Sequence, residues 1–149
     1  MNSKVVVFSC NWDGWSCVGA ASSSGLRYPA SVRVIRVSCL SRIHAGLILK
    51  AFEFGADGVI LLGCEPGRCQ FDSDSQCVNK EFEKARSILE ILGMSTDRLK
   101  LVQLPAFQGE RFVEELTGFI KGVEKSPASR REKADDSKVA LNAEVSPTR

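Results

Sequence analysis

The apolar positions of this chain change period along its length, and the changes mark its elements. Val5-Val6-Val7-Phe8 and Val32-Arg33-Val34-Ile35-Arg36-Val37 are rich in β-branched side chains, which crowd a helix but suit a pleated strand. Gly58-Val59-Ile60-Leu61-Leu62-Gly63 has no polar side chain, as expected of a strand buried on both faces. Leu99-Lys100-Leu101-Val102-Gln103-Leu104 is the fourth such run, stopped by Pro105. Between these runs the spacing becomes helical. Ile43, Leu47, Ile48, Ala51 and Phe52 form one stripe, ending at Gly55. Phe82, Ala85, Ile88, Leu89 and Leu92 form a second, ended by Gly93, and Phe112, Leu116, Phe119, Ile120 and Val123 a third. A short helix within residues 15–24 would be closed by a serine run and Gly25.

The order is strand, irregular connection, strand, helix, strand, helix, strand, helix. Such alternation implies a parallel sheet covered by helices. The expected fold class is α/β, a flavodoxin-like doubly wound parallel sheet of about four strands, with strand two beside strand one and strand three on its other side. The folded domain is expected to occupy residues 1–125. Residues 126–149 carry mixed charge without a sustained apolar stripe and are expected to form a disordered C-terminal tail.

Composition narrows the function. A length of 149 residues suits one domain, and 44% hydrophobic with 26% charged residues is ordinary for a globular core. Twenty basic residues against 18 acidic ones leave a net charge of +2, which gives no basis for nucleic-acid binding. No apolar run reaches the roughly 18–20 residues that cross a bilayer, and the N-terminal run is too short for a signal-peptide core. The cytoplasm is therefore the expected compartment. Six cysteines are then the anomaly, because a reducing compartment favours metal ligands or redox groups over disulfides.

Their placement is informative. Cys10, Cys39 and Cys64 follow the first, second and third strands, and Cys69 closes the loop Gly63-Cys64-Glu65-Pro66-Gly67-Arg68-Cys69. Parallel strands of one sheet end at a common edge, with neighbours about 4.8 Å apart. That edge is where open α/β sheets place their ligands. Four thiolates there suit a 2Fe-2S or a 4Fe-4S cluster. Cys17 is a fifth candidate within reach, while Cys77, near the start of the second helical stripe, is peripheral.

Single strand-end cysteines often serve as small apolar core residues, but three successive strands with that ending are hard to assign to packing alone. The sharper competitor is a structural zinc in an interaction module without redox activity. Zinc ribbons and fingers usually draw their ligands from two close C-x2–4-C pairs, and the chain has only one, Cys64 with Cys69. A phosphatase loop built on Cys10 would need an arginine where Ser16 stands, and neither a G-x-G-x-x-G nor a Walker A sequence occurs. A dithiol enzyme lacks its C-x-x-C, and a thiol nucleophile lacks a paired base. His44 opens the first clear helix and reads as a solvated helix-start side chain, with His44 or Arg42 as a candidate cluster-tuning group. Trp12 and Trp15 stand in the cysteine loop, as packing, as shields against water or as contacts for a partner.

The chain resembles the delta subunit of methyl-viologen-reducing (F420-non-reducing) hydrogenase over roughly residues 5–123. The resemblance is carried by Cys10-Asn11-Trp12, by Tyr28-Pro29 with the second strand and Cys39, and by Arg42. It continues in Leu49-Lys50-Ala51-Phe52-Glu53, Gly55-Ala56-Asp57-Gly58-Val59, the Gly63-to-Cys69 loop and Gly109-Glu110-Arg111-Phe112. It implies an iron–sulfur subunit of an anaerobic oxidoreductase complex, with a 2Fe-2S cluster on Cys10, Cys39, Cys64 and Cys69. Such a subunit relays electrons between a hydrogenase or other catalytic module and a flavin-containing, heterodisulfide-reductase-A-like subunit. The family commonly reads C-N-W-C at the first loop, whereas the last position here is Asp13. Either Cys17 compensates or the extra cysteine is not an essential ligand. The Asn11-Trp12-Asp13-Gly14 form is also similar to the delta-like subunit of class II benzoyl-CoA reductase complexes.

Overall fold

A computed structural model describes residues 3–71 and 75–126; the tail expected from residue 126 onward lies, beyond Ser126 itself, outside the described residues. The chain runs β1 (Val5–Cys10), α1 (Asp13–Ser23), β2 (Val32–Val37), α2 (Ala45–Glu53), β3 (Gly58–Gly63), α3 (Ser75–Ile91), β4 (Leu99–Gln103) and α4 (Gly109–Lys125). The four strands form one parallel sheet in the order β2-β1-β3-β4. This is the flavodoxin-like arrangement that the alternating pattern predicts. Val5 pairs with Val32 on one side and Gly58 on the other, and Val59 pairs with Leu99.

Because strand side chains alternate between faces, the sheet divides its apolar residues between two cores. Val5, Val7, Val32, Ile60, Leu62 and Val102 pack against α1 and α4, where Phe112, Leu116 and Phe119 supply the bulk. Phe8, Cys10, Val59, Leu61 and Leu99 face the other way, onto Ile48 and Phe52 of α2 and Ala85 and Leu89 of α3. β3 is buried along its whole length, as its uninterrupted apolar run predicts.

Three details differ from the sequence reading. β1 runs on to Cys10, because the fully buried Ser9 keeps its place in the ladder while its hydroxyl donates to the Cys10 carbonyl. The connection to β2 contains a full helix, α1, which starts at Asp13 and presents Gly14, Cys17 and Ala21 to the core. Leu92, expected on the α3 stripe, lies beyond the helix end and is exposed.

Burial in the core sets up a stability contrast. Ile60→Ala, at a 1%-exposed position, should cost about 2–5 kcal/mol of unfolding free energy. Ile91→Ala, at an 83%-exposed position, should stay within about 0.5 kcal/mol of the parent. Urea melts of the two variants decide the matter, and equal midpoints would contradict this core.

Candidate metal centre

The sheet edge assembles the thiols in two steps. Cys10 is the last residue of β1 and lies beside Val37, the last of β2, so Cys39 follows only two residues beyond that pair. Cys64 comes directly after β3. The loop then reverses: the Arg68 N–H donates to the Glu65 carbonyl at 3.1 Å, and Gly67 adopts φ 76, a left-handed conformation that glycine reaches without strain. That reversal returns Cys69 to the rim.

The result is two thiol pairs. The Cys10 and Cys64 sulfurs are 3.7 Å apart, and the Cys39 and Cys69 sulfurs are also 3.7 Å apart. All four border one cavity of about 30 Å³, and none is in a disulfide. Two thiolates sharing one tetrahedral metal at bonds of about 2.3 Å stand about 3.8 Å apart. Each pair therefore has the spacing to chelate one metal ion. Among the described residues no group of three or more His, Cys, Asp or Glu side chains is gathered to hold a single ion. The arrangement is two and two.

Local dipoles favour negative sulfur here. The Gly14 N–H, at the start of α1, donates to the Cys10 Sγ at 3.2 Å, where the positive end of the helix also lies. Position 14 must be glycine for this approach: a Cβ there would come within 2.7 Å of the Leu62 carbonyl oxygen and 3.2 Å of the Cys10 sulfur. The Ser41 hydroxyl donates to the Cys39 Sγ at 3.2 Å. In the metal-free protein burial pushes the Cys64 thiol up from 9.0 to about 12; the Asp13 backbone N–H opposes the shift, and the neighbouring Cys10 adds to it.

The other candidates lie elsewhere. Cys17 is fully buried in the opposite core, on the α1 and α4 side, where its Sγ donates to the Pro105 carbonyl at 3.2 Å. Burial raises its pKa as well. Cys77 is exposed on α3. His44 caps α2, its Nδ1 accepting the Leu47 N–H at 3.3 Å. Arg42 is exposed in the turn Leu40–Arg42.

Aromatic side chains stand near the thiols in the chain. Trp12 is 43% exposed and meets Phe71 edge-on at 6.2 Å, and the Arg36 guanidinium lies 5.1 Å over the Trp15 ring. Phe107, in the loop after β4, is 76% exposed at φ 62, a backbone region that bulky residues rarely adopt. Sequence reasoning missed Gly14, Ser41, Phe71 and Phe107. Only the C-x-S spacing of Cys39 and Ser41 offered a signal.

The family model for the methyl-viologen-reducing hydrogenase delta subunit matches residues 5–126. The chain is 38% identical over 109 residues to the iron-sulfur subunit of the vhc F420-non-reducing hydrogenase of Methanococcus voltae, covering 73% of this chain and 76% of that one. It is 31% identical over 122 residues to the iron-sulfur subunit of the F420-non-reducing hydrogenase of Archaeoglobus profundus, covering 82% and 89%. It is also 34% identical over 120 residues to the A-type subunit of the ferredoxin:CoB-CoM heterodisulfide reductase of Methanosarcina mazei. There the match takes in 80% of this chain but only 15% of the relative's length.

The raised Cys64 pKa has two consequences for the metal-free protein. Iodoacetamide at pH 8 should label the exposed Cys77 well before Cys64, whose rate should keep climbing until about pH 12. The folded state holds the Cys64 proton more tightly than the unfolded chain does. That contribution to stability is therefore complete below pH 9.0 and is lost between pH 9.0 and about 12. Equal labelling of the two cysteines at pH 8 would contradict the half-buried, paired placement of Cys64.

Proposed function

The chain belongs to the family of methyl-viologen-reducing hydrogenase delta subunits, and from that premise we propose that it is a cytoplasmic electron-transfer subunit with a 2Fe-2S cluster on Cys10, Cys39, Cys64 and Cys69. It relays electrons between a hydrogenase or other catalytic module and a flavin-containing, heterodisulfide-reductase-A-like subunit. The observation that carries the reading is the division of the four thiols into two pairs with 3.7 Å separations. A cluster of two irons asks for two cysteines on each iron, whereas a cluster of four irons takes one cysteine per iron and spreads its ligands more widely. Cys10 and Cys64 would hold one iron, Cys39 and Cys69 the other.

When bound, the cluster supplies a site that accepts and releases single electrons. The chain's own residues set the conditions for this. Cys10 and Cys39 are buried and fixed at strand ends, while Cys64 and Cys69 are half-buried on the loop side. Electrons would pass on that open side, because tunnelling demands close approach. Trp12, Phe71 and Phe107 offer exposed aromatic contact area for a redox partner. The match within the much longer heterodisulfide reductase chain supports the partner, since there a similar segment is covalently part of the reductase.

Anoxic purification of the full chain with its partners tests the reading. About two irons and two sulfides per chain, reducible by dithionite, are expected. Zinc at one per chain without sulfide would select the structural-zinc alternative. Cys10→Ala, Cys39→Ala, Cys64→Ala and Cys69→Ala should each abolish the cluster, and Cys17→Ala and Cys77→Ala should leave it intact. Normal iron in Cys39→Ala would end the four-ligand assignment.

The aromatic surface has its own test. Trp12→Ala and Phe107→Ala should lower kcat/KM for electron delivery to the co-purified flavoprotein by roughly tenfold while cluster content stays constant. Unchanged transfer in both would remove these rings from the docking surface.

A further inference from the structure

The hydroxyl of Ser41 is no ligand candidate, yet its Oγ donates to the Cys39 Sγ at 3.2 Å. The geometry is set locally. The Arg42 N–H returns to the Cys39 carbonyl at 3.1 Å, closing a turn that holds Ser41 two residues past the thiol. Cys39 is only 7% exposed, and Ser41 is half-buried, so the hydroxyl occupies a place that bulk water does not fill freely.

We propose that Ser41 is a positioning residue that raises the reduction potential of the centre through its hydrogen bond to the Cys39 sulfur. The inference rests on the cluster reading above and adds the residue that tunes it. One-electron reduction, with the electron supplied by a redox partner or by dithionite, places additional negative charge on the cluster and its ligand sulfurs. A donor to one of those sulfurs binds the reduced form more strongly than the oxidised form. The hydroxyl keeps its proton throughout, and no bond to the ligand is made or broken.

The test is an EPR-monitored redox titration of the anoxically purified, cluster-loaded full chain. Ser41→Ala and Ser41→Gly should both keep normal iron and sulfide and shift the midpoint to more negative potential. The expected change is about tenfold in the reduced-to-oxidised ratio at fixed poise, or about 59 mV for one electron. Ser41→Thr, which keeps the hydroxyl, should return the midpoint toward that of the parent. A midpoint unchanged in Ser41→Ala and Ser41→Gly overturns the inference. So does loss of the cluster in both with retention in Ser41→Thr, because the hydroxyl would then serve assembly rather than potential. A parent chain that never holds iron and sulfide overturns the cluster reading itself, a failure distinct from either of these.

Discussion

The register of three parallel strands is the constraint on which the centre depends. Cys10 lies level with Val37 because Val5 lies level with Val32, and β3 is in step with β1 from Val5 opposite Gly58 onward. A slip of one residue in β1 would turn Cys10 from the α2 and α3 face to the α1 and α4 face and carry it away from Cys64. Such a slip would also send Val5 and Val7 into the α2 and α3 core and Phe8 into the α1 and α4 core, so the packing of two apolar cores enforces the register. Packing that serves stability therefore also sets sulfur positions, and no disulfide is needed to hold them.

The same edge is electrostatically prepared. Burial at the rim favours the protonated form of Cys64, and the neighbouring Cys10 adds to the effect. A metal bound there would displace that proton, so loading would release protons and couple to folding. The Gly14 N–H and the Ser41 hydroxyl lower that cost because both donate to sulfur. Position and charge compensation thus come from different sources: strand ends fix Cys10 and Cys39, while turn and helix-start donors stabilise the negative charge.

Much of this was legible in the sequence. The β-branched runs of β1 and β2 and the apolar run of β3 marked strands whose ends deliver Cys10, Cys39 and Cys64, and the Pro66-Gly67 reversal marked the return of Cys69. α1 was hard to read because its core stripe is made of small residues, Gly14, Cys17 and Ala21, which carry little hydrophobic signal. Its helicity is settled by packing against α4, a tertiary effect outside any local window. The partly open α2-side face of β2 was equally hidden. Arg33, Ile35 and Val37 line a groove of about 830 Å³ there, with exposed Ile35 and Phe54 at its sides. Strand periodicity identifies a face but does not tell whether a helix covers it.

Helix geometry bears on the cysteine missing from position 13. α1 begins at Asp13, so Cys17 lies just over one turn later on the stripe shared with Gly14 and Ala21, which faces the α1 and α4 core. To reach the rim from there, Cys17 would have to give up its bond to the Pro105 carbonyl and the helix would have to rotate. Gly14 forbids that rotation, since it is wedged against the Leu62 carbonyl and the Cys10 sulfur. Position 13 supplies the site a backbone N–H that favours charge on Cys64, an effect that the Asp13 carboxylate opposes. A cysteine there is dispensable if two pairs complete the ligand set, and the pairs that the strand ends and the reversed loop create number two.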